Sequence, residues 1–154
     1  MSSTLTLVHP LGDEPLALRL IEQSKKELNG LCSVYHIYRF SKPFQTFEKG
    51  IFILLKDSIL NMERLLRSDL PLALILVNPS VNSEIKNVLF SVRSPTLIIS
   101  CQQRNEFDPS STSYHDLIAG SKMRIVHNCD PLSLIGKENQ IVSIVKDFVS
   151  ELMI

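Results

Sequence analysis

Charge of either sign is not in excess in this chain of 154 residues: 16 lysines and arginines balance 16 aspartates and glutamates. Nucleic acids and acidic membrane surfaces are held by a surplus of cations, so no such partner is expected. The same neutrality gives little colloidal repulsion and favours association. Cysteine is scarce and odd in number, with Cys32, Cys101 and Cys129 and no CxxC pair. That count and spacing indicate neither a disulfide framework nor a zinc site. A reducing soluble compartment such as the cytoplasm is the simplest reading. Long apolar runs are also missing. Each is broken well short of the ~20 residues that span a bilayer, so no membrane span is expected. The N-terminal MSSTLTLVHP lacks the basic-then-apolar order of a signal peptide. No GxGxxG, P-loop, HExxH or EF-hand pattern occurs, so no nucleotide, metal or other cofactor is expected. There is no internal repeat, low-complexity tract or flexible linker, and one domain over residues 1–154 is expected.

What is present is a chain of ordinary globular composition, 44% apolar and 21% charged, long enough for a sizeable core. Residues 5–8 (LTLV) form a short β-type run that stops at His9-Pro10-Leu11-Gly12. Asp13 suits a helix N-cap and Pro15 a first turn. Leu16, Leu18, Ile21 and Leu28 then give an apolar helical face, closed by Asn29-Gly30. Residues 32–38 (CSVYHIY) have strand composition. The run 51–55 (IFILL) is continuously apolar, the mark of a strand covered on both faces. Ile59, Met62, Leu65 and Leu66 follow at helical spacing, predicting a helix over 59–67. Similar apolar runs occur at 72–77 and 95–99, with short helices predicted at 83–92 and 113–119, a last strand at 123–126 and a closing helix at 140–152. In that helix Ile141, Ile144, Val145, Phe148 and Val149 face inward. Strands alternating with helices, several apolar throughout, predict an α/β fold: a mostly parallel sheet of five or six strands with helices on both faces.

The order of these segments resembles the α/β-hydrolase fold over nearly the whole chain. LVHPLG at 7–12 is similar to the strand and His-Gly loop that supplies an oxyanion amide in that family. FILLKDS at 52–58 resembles the strand running into the nucleophile elbow, LILVNP at 74–79 the strand after the elbow helix, and SPTLII at 94–99 the strand before the acid loop. RIVHNCDP at 124–131 is similar to the strand leading to the histidine loop, and VKDFV at 145–149 to the final helix. The match begins at the family's third strand, so the two leading antiparallel strands are expected to be absent. The edge of the strand at residues 5–8, between Leu5 and Val8, should then be exposed and invite a protein partner or self-association.

Three residues become candidate catalytic groups through this resemblance: Ser58 as nucleophile, His127 as base and Asp108 as orienting acid, with Glu106 and Arg104 close by. His9 and Gly12 fall in the oxyanion loop. The family pattern is Gly-x-Ser-x-Gly, because the serine sits on a tight strand-to-helix turn where neighbouring β-carbons crowd the backbone. Here those positions read Lys56-Asp57-Ser58-Ile59-Leu60, so both glycines are gone. The usual histidine position is filled by Asp130-Pro131, and proline cannot accept a proton. The residues also allow a plainer role for Ser58 or Asp57 as helix caps. His36 and His115 read as structural or surface groups. Cys101 and Cys129 fall at strand C-terminal ends, where open α/β sheets place ligand sites. The expectation is a non-catalytic hydrolase-like binding subunit. The alternatives are a minimal serine esterase or thioesterase using Ser58, and a flavodoxin-like sheet binding a small ligand.

Overall fold

The computed structural model describes residues 3–39, 47–80, 83–103, 109–131 and 133–152. Among these residues six strands and five α-helices follow in the order β1 (Ser3–His9), α1 (Glu14–Glu27), β2 (Cys32–Arg39), β3 (Gly50–Leu55), α2 (Glu63–Arg67), β4 (Pro71–Val77), α3 (Ser83–Leu89), β5 (Thr96–Gln102), α4 (Pro109–Leu117), β6 (Lys122–His127) and α5 (Glu138–Leu152). All neighbouring strands are parallel, in the order β2-β1-β3-β4-β5-β6.

The continuous apolar runs are explained by two cores, one on each face. Because side chains alternate along a strand, Ile51, Ile53 and Leu55 of β3 join one cluster with α1 and α5. Phe52 and Leu54 join the other, with α2, α3 and α4. Ile75 and Leu76 of β4, and Ile99 and Ile98 of β5, divide the same way. Gly50, at the head of β3, meets its neighbour too closely for any side chain: a β-carbon there would run into the Thr4 carbonyl of β1.

Five expectations need correction. The helix predicted over 59–67 is broken, with a 3₁₀ turn at Lys56–Asn61 preceding α2. The apolar spacing was real, since Ile59, Met62, Leu65 and Leu66 are all buried, but it is shared by two short segments. Leu18 points outward at 55% exposure, and Ala17 and Leu20 take its place in the α1 interface. In α5 Val142 is buried, whereas Ile144 only packs against the core from its margin. The strand at residues 5–8 is no edge: β1 lies between β2 and β3, and Leu5, Leu7 and Val8 are fully buried. β2 and β3 flank β1 on opposite sides, so the edge falls on β2. The cysteines at strand ends also pair: Cys101 and Cys129 form a disulfide with Cα atoms 5.2 Å apart, leaving Cys32 as the buried free thiol.

Candidate functional site

Strand order reverses at β1, whose neighbours β2 and β3 follow it in sequence on opposite sides. In open α/β sheets the crevice beyond the strand C-termini at such a point is the usual ligand site. Here its walls are the loop after β1, with His9, Gly12 and Asp13, and the turn after β3, with Lys56 to Ser58.

Among the described residues three that are not glycine carry positive φ, and each follows a strand: Lys56 at 49°, Asn78 at 51° and Asn128 at 54°. Asparagine tolerates this left-handed region and lysine does so poorly. The strained position where β3 turns is therefore Lys56, not Ser58. Its ammonium lies 3.0 Å from Asp13 Oδ1, and both side chains are less than one-fifth exposed. Asp13 stands at the head of α1 as expected, but its carboxylate makes no cap hydrogen bond and reaches Lys56 instead.

Ser58 lies two residues further on, inside the 3₁₀ turn and 1% exposed. Its hydroxyl donates to the Leu55 carbonyl at 2.7 Å, with the Val8 carbonyl 3.3 Å away. The serine thus ties the turn to the end of β1, with its proton held by backbone oxygen. Counted from the strained residue, the five elbow positions are Leu54-Leu55-Lys56-Asp57-Ser58. Ser58 then takes the place of the second glycine, where a small residue is required.

The expected base stands apart from Ser58. His127 ends β6 and lines a cleft of about 570 Å³ between that strand and α5, shared with Lys137, Gln140 and Ser143 and not with Ser58. Asp108, with Glu106 and Arg104, lies outside the described residues. His9 is 3% exposed, with Nδ1 2.9 Å from the Pro10 carbonyl. The Gly12 amide donates to the Glu14 carboxylate at 3.1 Å, so that donor is already engaged. These contacts lower the Glu14 pKa: its own backbone amide first, opposed by burial and aided by His9, Gly12 and Arg39.

Two further groupings escaped the sequence reading. Asp57 accepts the Ser80 hydroxyl, and buried Tyr114 donates to the Ser80 carbonyl at 2.5 Å. Burial, then the Asp57 charge, pushes the Tyr114 phenol well above its usual range. Asn78 accepts from the Cys101 amide at 3.2 Å and donates to the Pro131 carbonyl at 3.3 Å. With the Cys101–Cys129 disulfide it binds the ends of β4, β5 and β6 together. Asn78-Pro79 could have signalled the left-handed turn; no local pattern signals the Lys56–Asp13 pair, whose members are 43 residues apart. Among the described residues no group of three or more His, Cys, Asp and Glu side chains is placed to hold a metal, and no helix is long and apolar enough to cross a membrane.

No family profile and no curated protein matches the chain. Solved structures do. A predicted CIB-like hydrolase from Thermoplasma acidophilum matches with TM-score 0.70 and 14% identity, over 97% of this chain and 86% of that one. Est1E from Butyrivibrio proteoclasticus gives 0.74 and 11%, over 99% and 88%. The enol-lactonase from Burkholderia xenovorans LB400 gives 0.72 and 11%, over 97% and 92%. The protein has the α/β-hydrolase fold. Strand order alone would not separate it from a flavodoxin-like sheet, which shares the 2-1-3-4-5 arrangement; likeness over nearly the whole chain does.

Proposed function

We propose that this chain is a non-catalytic α/β-hydrolase-fold protein that works as a binding or protein-interaction subunit. The observation that carries this reading is the Lys56–Asp13 pair across the switch-point crevice. A serine hydrolase needs at that turn an exposed hydroxyl, a base in hydrogen-bond reach and amides aimed at the developing oxyanion. The turn instead holds an ammonium bound to a carboxylate, Ser58 spends its proton on a carbonyl, and the Gly12 amide is taken by Glu14. The names of the similar solved structures favour a second reading, a minimal serine esterase or thioesterase. It requires Ser58 to turn out of its buried bonds toward His127, with Asp108 or Glu106 as acid.

A fluorophosphonate probe separates the two. No labelling of the folded protein is expected. Labelling at Ser58 that vanishes in Ser58→Ala would establish the esterase. The Cys101–Cys129 disulfide also weighs against the reducing compartment expected from the cysteine count and supports an oxidising one. Mass analysis of the protein isolated without reductant, under thiol alkylation, tests this: two alkylatable thiols beyond Cys32 would restore the reducing compartment.

A further inference from the structure

We infer that the outer edge of β2 from Val34 to Arg39, beyond which no described strand lies, is a homodimer surface, to which a second copy of this chain adds its own β2 antiparallel across a twofold axis at His36. This names the partner for the binding role proposed above and rests on that reading for its purpose.

The sheet has two edges, β2 and β6, and they differ in chemistry. Natural edge strands are blunted by lysine, proline or charge, because an open row of amides and carbonyls recruits other strands. β6 follows that rule: Lys122, Arg124 and His127 are three of its six residues. Two copies of β6 joined at Met123 or Arg124 would set cation against cation. β2 follows it only at its start, where a bulge falls at Ser33. Its eight residues, CSVYHIYR, contain no lysine, proline or acid, and its fixed charge, Arg39, stands at the end. Val34 is 43% exposed, and Tyr35, His36, Ile37 and Tyr38 are each partly exposed. Beyond a bulge at Ser33, Val34 to Arg39 pair with β1 in unbroken register, so that stretch of backbone is already extended and ordered for a second partner. The chain's zero net charge adds no long-range repulsion.

Self-complementarity selects the register. A twofold axis normal to the sheet keeps each face on the same side, so opposed residues must share parity. With the axis at His36, Val34 faces Tyr38 and Tyr35 faces Ile37, each pair occurring twice. Aromatic against β-branched pairs are among the favourable cross-strand contacts. Glu48, 3.7 Å from His36, offsets the two imidazoles that meet on the axis. Moving the axis to Tyr35 would set Val34 against His36 and Ser33 against Ile37, mixing polar and apolar partners. Val34 to Arg39 present about 20 Å of ladder. Six residues a side is below the 20–30 of a standard interface, so a weak, concentration-dependent dimer is expected.

Light scattering of the purified chain over a wide concentration range should show a mass rising from 17.4 kDa toward twice that value. His36→Cys should form a covalent dimer on mild oxidation, since a residue on the axis faces itself, whereas the wild type and Ile125→Cys on β6 should not. Val34→Lys, at an exposed position, should keep the fold by circular dichroism and weaken the dimer at least tenfold. A monomer at every concentration, a dimer indifferent to Val34→Lys, or crosslinking through Ile125→Cys alone would overturn the inference. A dimer that is also labelled at Ser58 would overturn the non-catalytic reading and leave this interface standing. A monomer that resists the probe would do the reverse.

Discussion

Lys56 and Asp13 lie 43 residues apart in sequence and 3.0 Å apart in space, and their ion pair joins the turn after β3 to the loop after β1. The pair holds a lysine in backbone geometry that lysine disfavours. Two opposing effects meet at this residue. Glycine would relieve left-handed strain of about 1 kcal/mol, and losing a partly buried pair would cost about as much. Lys56→Gly alone is therefore expected to change stability little. Asp13→Asn, which leaves the strain and removes the pair, should destabilise by about 1 kcal/mol. Lys56→Gly in the Asp13→Asn background should then stabilise. Urea unfolding of the four proteins in a double-mutant cycle measures the coupling directly. A coupling near zero would mean that the contact does not hold the turn.

Ser58 is expected to matter for stability and not for turnover. Its hydroxyl is buried against the Leu55 and Val8 carbonyls. Ser58→Ala leaves those acceptors without this donor and should cost about 1–2 kcal/mol. The check is chemical denaturation, run beside hydrolysis of a small acyl ester. Destabilisation with an unchanged, background-level ester rate is the expected result. A loss of real turnover with stability unchanged would reverse the assignment.

These two residues show which part of the molecule was legible in the sequence. The inner strands were readable because runs such as 51–55 and 72–77 are covered on both faces, as buried parallel strands are, whereas the edge strands β2 and β6 were readable from β-branched and aromatic content and from their place in the alternation. The helix after β3 was harder. Ile59, Met62, Leu65 and Leu66 carry a helical period whether the backbone is one α-helix or a 3₁₀ turn and a short helix, since burial on one face is all the period reports. The site was least legible. Where β3 ends cannot be read to within two residues from apolar content, and two residues is the difference between Ser58 and Lys56 at the strained turn. The Cys101–Cys129 pairing depends on β5 and β6 lying side by side, a fact of topology with no local signature.

The disulfide closes a loop with a sequence separation of 28 residues. Constraining the unfolded chain over that length contributes about 3–4 kcal/mol in the chain-entropy account. Reduction, or Cys101→Ala with Cys129→Ala, should lower the melting temperature by roughly 7–15 °C for a domain of this size. Because both strand ends are also held through Asn78, the folded state should survive the loss with its far-UV spectrum intact. Calorimetry with and without reductant tests this, with the double alanine variant showing no response to reductant. A reductant effect that persists in the variant would place the cause elsewhere.

Cys32 gives the chain a pH dependence on the alkaline side. Burial pushes its thiol up to about 11, so the folded protein keeps the proton that the unfolded chain has released. Stability from this group is whole below the unfolded thiol value near 9 and declines as pH rises from there through the folded value. The unfolded state binds fewer protons over that interval, which sets the sign. The expected loss is about 2 kcal/mol between roughly pH 8 and pH 10.5. Tyr114 and Tyr35, whose phenols burial also raises, act in the same direction at higher pH. Cys32→Ala removes the thiol contribution at a constant packing cost. Urea midpoints for wild type and variant should therefore converge by that amount as pH rises. Parallel curves would show that the thiol ionises as freely in the folded chain as in the unfolded one, and that its burial costs the thiolate nothing.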